Sequence, residues 1–198
     1  FRFGLSFVYG HLICQVMIQT SYKYGWLVIV LCFLGVSCAS EKLSWKEELH
    51  NEISLLGHRN WIVVTDMAYP LQSQEGIKTI CTGDDYLEVL SFVTAEIDRA
   101  PHIKANVYQD RELLFMKDTD ASGITELRQE VASLFGGYLQ YVSHEELIAR
   151  LDSISSVFNV IILKSNLTIP YTSTFFELDC YYWDDVRQQE LEKRFQEH

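Results

Sequence analysis

The chain has 198 residues, 48% of them hydrophobic and 13% aromatic. That is one domain's length with enough apolar content for a packed core, which excludes a disordered tail or low-complexity linker. Lys and Arg total 16 against 27 Asp and Glu, a formal charge of −11, which argues against nucleic acid or an anionic membrane surface as partner and suits binding of neutral small molecules.

The sequence begins with Phe1, and its first Met is Met17. From there it reads as a polar segment with Lys23, an apolar run Trp26–Val36, then Ser37 and Cys38. The run fits the short apolar region of a secretory signal and falls short of a membrane-spanning helix. Gly35-Val36-Ser37-Cys38 resembles the lipobox of bacterial lipoproteins, which implies a leader over 1–38, lipidation at Cys38 and an exported, lipid-anchored domain over 39–198. The alternatives are a cleaved signal, an uncleaved anchor, or a mis-called start with a cytoplasmic protein. Arg2 and Lys23 are the only Lys, Arg, Asp or Glu residues before Cys38, so the remainder is more acidic still. Outside the leader, Cys81 and Cys180 are expected as two reduced, buried thiols, with pairing as the alternative in an oxidising compartment.

Ser44-x-x-Glu47 is a capping box that opens a helix through Leu49, Ile53 and Leu56, with Gly57 as its stop. Trp61 to Asp66 reads as a buried strand, Met67 to Gly76 as loop, and Ile77–Cys81 as a second strand. A helix from Gly83-Asp84 buries Leu87, Leu90, Val93 and Ile97 and ends at Pro101. His102–Tyr108 looks like a strand, and 109–121 is polar and ambiguous. Ile124 to Phe135 is helical and closed by Gly136-Gly137, and Tyr138–Val142 alternates as a strand. Ser143-x-x-Glu146 is a second capping box for a helix through Leu151. Phe158–Leu163 is the strongest strand pattern. Residues 170–183 are aromatic-rich strand or ordered loop, and Asp184–Glu197 is a charged, solvated helix. Strands alternating with helices give an α/β class with a mixed or parallel sheet in one domain.

Several chemistries lack a signature. There is no Gly-x-Gly-x-x-Gly, no phosphate loop and no Gly-x-Ser-x-Gly elbow, so nucleotide binding and serine hydrolysis find no support. Cys-x-x-Cys is missing and His144 has Ile148 four residues on, so zinc and thioredoxin-like chemistry find none either. The informative stretch runs from Leu56-Gly57-His58 to Asp66 and Pro70. It sets His58 just after a helix C-terminus, which favours the imidazolium, and Asp66 at the C-terminal end of a strand, where open α/β sheets bind ligands. A solvated capping His58 and a turn-forming Asp66 are the plainer alternative.

Leu-Gly-His with Asp eight residues after the His, Tyr141-Val-Ser-His144-Glu-Glu-Leu, and Asn159-Val-Ile-Ile-Leu163 occur in this order. Together they resemble the ribose pyranase / fucose mutarotase family over roughly residues 43–164. The resemblance implies a single three-layer α/β domain with a mixed sheet. It implies a monosaccharide mutarotase that interconverts cyclic forms of a free sugar by acid–base ring opening, with no metal and no cofactor. His58 falls on the family's catalytic acid, and Asp66 and His144 on its substrate-binding residues. His144 would sit in a first helical turn, where the dipole favours a neutral ring. A ring-like homo-oligomer with sites at subunit contacts is implied in the same way.

Two departures qualify the match. Phe158-Asn159-Val160 stands where the family has Tyr-Ala-Asn, so a phenol is lost and Asn159 is moved by one place, which on a strand turns a side chain to the other face. The chain also continues past this strand as a C-terminal extension over 165–198, where Tyr171 is a candidate to restore the phenol; core or subunit interface is the plainer role for its aromatics. These departures motivate the alternative of a non-catalytic sugar-binding or structural lipoprotein.

Overall fold

The computed structural model describes residues 43–197; Met17, Cys38 and the leader lie outside them. The elements are α1 (Trp45–Ile53), β1 (Trp61–Thr65), β2 (Ile77–Cys81), α2 (Tyr86–Arg99), β3 (Ile103–Asp110), a 3₁₀ turn (Arg111–Leu114), α3 (Ile124–Phe135), a second 3₁₀ turn (Gly136–Tyr138), β4 (Leu139–Val142), α4 (His144–Ser155), β5 (Val160–Lys164), β6 (Thr174–Cys180) and α5 (Asp185–Gln196).

The six strands form one mixed sheet in the order β2-β5-β1-β6-β3-β4. β1 and β2 each run parallel to β5, and β3 runs parallel to β4. β6 is antiparallel to both of its neighbours, pairing Val63 with Phe175 on β1 and Tyr108 with Phe175 on β3. β1 to β5 therefore all point one way, and their C-terminal ends share one edge of the sheet, here the carboxyl edge. Their starts, with the end of β6, form the amino edge.

Alternation along the strands builds two cores. Ile62, Val64, Ile161, Leu163, Phe176 and Leu178 pack beneath α1, α2 and α3. Trp61, Val63, Val160, Ile162 and Phe175 face Leu147 and Leu151 of α4. Helix, sheet and helix make three layers, as the α/β mixed-sheet reading expects. α5 contributes no buried residue, which fits a solvated C-terminal helix.

The local chemistry explains most boundaries. Ser44 and Glu47 form the reciprocal capping box of α1. Asp85 caps α2 through the Leu87 N–H, and Gly136, at φ 55°, ends α3 in a conformation that favours glycine. Three expectations need correction. α1 ends at Ile53, because Leu55 and Leu56 close short turns onto the Glu52 carbonyl. The reversal into β1 follows separately, with Asn60 Oδ1 accepting from Gly57 N–H at 2.8 Å and Arg59 at φ 72°. His58 thus lies beyond the reach of a helix C-terminus, since the dipole's effect fades within a turn. β3 continues to Asp110, and the two expected buried thiols are an exposed Cys81 and a half-buried Cys180. Cys81 ends β2 at the carboxyl edge while Cys180 ends β6 at the amino edge, and both are free thiols.

Residues 165–180 are integral to this sheet. Phe175 is 0% exposed and Phe176 1%, one in each core. Gly76 is fixed by close approach, for an added Cβ would stand 2.5 Å from the Ser155 carbonyl oxygen and 3.1 Å from that of Phe158. Thermal unfolding followed by circular dichroism tests these placements. Phe176→Ala is expected to cost about 3–5 kcal/mol and Gly76→Ala on the order of 1–3 kcal/mol, as overpacking against backbone does. Truncation after Lys164 abolishes cooperative unfolding, whereas truncation after Trp183, which removes only α5, leaves the midpoint nearly unchanged.

Candidate functional site

The carboxyl edge gathers polar side chains from separate segments. Asp66 directly follows β1, and its Oδ1 accepts from the Ala68 N–H at 2.7 Å, so it forms the turn that the plainer reading expects while staying at the edge. Asp110 is the last residue of β3 and is fully buried. His144 is the first residue of α4, because Ser143 accepts from the Glu146 N–H and starts the helix there. Its backbone N–H donates to Glu112 Oε2 at 3.0 Å, and its ring Nδ1 lies 3.2 Å from Asp110 Oδ1. Tyr171 meets the same imidazole edge-on, with ring centroids 5.6 Å apart and an interplanar angle of 89°. Tyr171 holds φ at 57°, a left-handed conformation costly for a non-glycine residue and concentrated in proteins at functional sites.

A buried network fixes this edge from below. Tyr86 Oη donates to the Thr172 carbonyl at 2.5 Å, and Thr174 Oγ1 donates to Gln109 Oε1 at 2.7 Å. These bonds tie α2 and the end of β3 to the start of β6. They hold Tyr171 beside His144 by fixing the residues that follow it.

Burial raises the Asp110 carboxyl to about 6, against the downward pull of His144 and with an upward push from the Glu112 and Asp66 carboxylates. Its Oδ2 is buried without a hydrogen-bond partner among the described residues. Burial likewise pushes the Tyr69 phenol up to about 12, so it stays neutral. A carboxylate poised near neutrality against an imidazole can pass or hold a proton, and the surrounding oxygens and hydroxyls can bond a polyol.

The structure does not bring His58 and Asn159 to this place. Both precede their strands and stand at the amino edge, a strand length of roughly 17 Å away. There His58 Nδ1 lies 2.9 Å from Asp179 Oδ1, and Arg59 Nε donates to His58 Nε2 at 3.1 Å. Asp179 is held below the usual carboxylate range: partial burial opposes this, but the Cys180 N–H, His58 and Lys104 outweigh it. The Asn159 carbonyl accepts from Trp61 N–H and from Asn60 Nδ2, and the Arg59 guanidinium covers the Phe158 ring at 5.7 Å. Asp66, His144 and Tyr171 thus form one group, and His58 with Asn159 another.

Sequence reasoning missed Asp110 and Glu112. Both fall in the polar stretch 109–121 that gave no clear periodicity. No local pattern marks them, because the polar residues after Tyr108 hide that β3 runs on to Asp110.

No family model matches the sequence, and no curated protein matches it. Among solved structures, the fold is similar to Bacillus subtilis RbsD complexed with D-ribose, at 16% identity and a TM-score of 0.48 over 67% of this chain and 91% of that one. It is also similar to the fucose mutarotase from Streptococcus pneumoniae in complex with L-fucose, at 15% identity and a TM-score of 0.45 over 70% of this chain and 97% of that one. At these identities the likeness concerns the fold and assigns no residue a role.

The raised Asp110 carboxyl has a stability consequence. In the unfolded chain it titrates at its ordinary value of 3.8, so between there and about 6 the folded state binds the extra proton. The Asp110 contribution therefore falls as pH rises through that window and stays reduced above it. Urea unfolding at pH 4 and pH 7 is expected to show Asp110→Asn gaining stability relative to wild type at the higher pH. An equal effect at both values would contradict the buried, raised carboxyl.

Proposed function

We propose that the chain is a monosaccharide mutarotase or pyranase that interconverts cyclic forms of a free sugar, and that it works as a homo-oligomer. The observation that carries this reading is the convergence of Asp66, His144 and Tyr171 on one strand edge from three separate segments. Two of these residues are those the resemblance assigns to sugar binding. Asp66 and Tyr171 bond sugar hydroxyls there. His144 takes the proton of the anomeric hydroxyl. The electrons of that O–H bond form the C1 carbonyl, the C1–O5 bond breaks toward the ring oxygen, and O5 takes a proton from a second acid. Reclosure on the other carbonyl face, or by a different hydroxyl, runs the same transfers in reverse and yields the other cyclic form. Such a reaction needs proton donors and acceptors rather than a metal or cofactor.

His58 is the second acid in this reading. Its distance from His144 within one chain supports a site assembled between copies, in which the amino edge of one protomer meets the carboxyl edge of the next. Asn159 arrives with His58 on the same surface. Arg59 must release His58 Nε2 before that nitrogen serves the sugar. Export and a lipid anchor at Cys38 complete the reading for the leader.

Proton exchange NMR with a panel of free pentoses and hexoses tests it. Wild type is expected to speed anomeric or ring-form exchange, while His58→Ala and His144→Ala each lose most of that rate. Mixing the two inactive variants in equal amounts and letting subunits exchange is expected to restore about a quarter of the sites, since random pairing completes one site in four. Sugar binding without exchange in wild type would replace this reading with a sugar-binding protein on the same fold. Full activity in His58→Ala would remove that residue from the mechanism.

A further inference from the structure

We infer that Asp110 is a positioning residue that locks the tautomer of His144, so that the ring presents Nε2 as a proton acceptor at the carboxyl edge. The inference deepens the function proposed above and rests on it for the identity of the reaction, but not for the dyad itself.

The geometry argues for a built pair. Asp110 is 0% exposed, whereas the His144 side chain is 32% exposed. Nδ1 is therefore the nitrogen turned inward, 3.2 Å from Asp110 Oδ1, and the solvent-reaching part of the ring carries Nε2. An ionised carboxylate only accepts hydrogen bonds, so Nδ1 must carry the ring proton whenever Asp110 is charged, which leaves Nε2 with its lone pair. Two further contacts hold the imidazole in place. Glu112 Oε2 fixes the His144 backbone N–H, and the Tyr171 ring meets the imidazole edge-on. Carboxylate, imidazole and reacting proton in series is the arrangement that orients a general base.

The charged and titratable groups facing Asp110 are Asp66 from the end of β1, Glu112 from the 3₁₀ turn, His144 from α4, and the neutral phenols of Tyr69 and Tyr86. Burial and the two carboxylates favour protonated Asp110, and His144 alone among them favours the charged form. Proton uptake by the pair ends the base function. Activity should then rise with pH through the region near 6 where Asp110 ionises.

Nitrogen-15 NMR of imidazole-labelled protein tests the dyad without any substrate. In wild type above pH 7, His144 is expected as the Nδ1–H tautomer. Asp110→Asn is expected to lose that preference, because an amide can donate to Nδ1 as well as accept from it, and Asp110→Glu to retain part of it. An Nε2–H tautomer in wild type, or an unchanged tautomer in Asp110→Asn, overturns the inference. With a sugar that wild type turns over, Asp110→Asn is expected to lower kcat by at least about tenfold, to move KM little, and to displace the low-pH limb of the profile. An unchanged limb also overturns it. If no sugar is turned over by wild type, the mutarotase reading fails, while the tautomer measurement still decides the dyad.

Discussion

The whole molecule depends on β6 pairing on both sides. On one side lies the parallel set β2-β5-β1, and on the other the pair β3-β4. Neither hydrogen-bonds to the other except through this one antiparallel strand, whose two consecutive phenylalanines fill the cores above and below the sheet. Ladder hydrogen bonds and apolar burial coincide in the same seven residues. Both of these stabilising contributions are lost together if the strand is displaced.

The candidate site inherits its geometry from that closure. Asp66 belongs to the β1 side, whereas Asp110 and His144 belong to the β3-β4 side; β6 sets the spacing between them. Tyr171 comes from the connection that leads into β6 itself. The buried bonds among Tyr86, Thr172, Thr174 and Gln109 fix where β6 starts, and so fix the ring beside His144.

The fold was largely legible in the sequence, for identifiable reasons. Ser44-x-x-Glu47 and Ser143-x-x-Glu146 mark helix starts by a local bond that needs no tertiary partner, and both start where expected. The β-branched runs of β1 and β5 declare strands buried on both faces. Most of what was not legible depends on contacts distant in sequence. The end of α1 at Ile53 is the local exception, where Leu55 and Leu56 turn onto the Glu52 carbonyl while Gly57 made a later stop look natural. The central role of β6 depends on pairing with strands some seventy and more than a hundred residues earlier, which its aromatic content alone does not reveal. Within the site, Asp66 and His144 could be read from local patterns. Asp110 could not, because its distinguishing property is burial against His144, and the polar residues after it hid the length of β3. His58 and Asp66 are eight residues apart, and the extended strand between them puts them at opposite ends of the sheet.

The position of β6 along the chain also governs how the protein is made. Among the described residues, β1 to β5 and α1 to α4 leave the ribosome before Thr174 does, and at that stage the sheet is two fragments whose open borders are β1 and β3. Both are interior strands: β1 carries no charge and no proline, and β3 carries Lys104 near its start and Asp110 at its end, so β1 is the border more open to pairing with another chain. Completion requires contacts across a large sequence separation, which slows assembly. Until the last strand arrives, the two fragments have no ladder between them. A protein delivered across a membrane unfolded would meet the same requirement a second time on the far side.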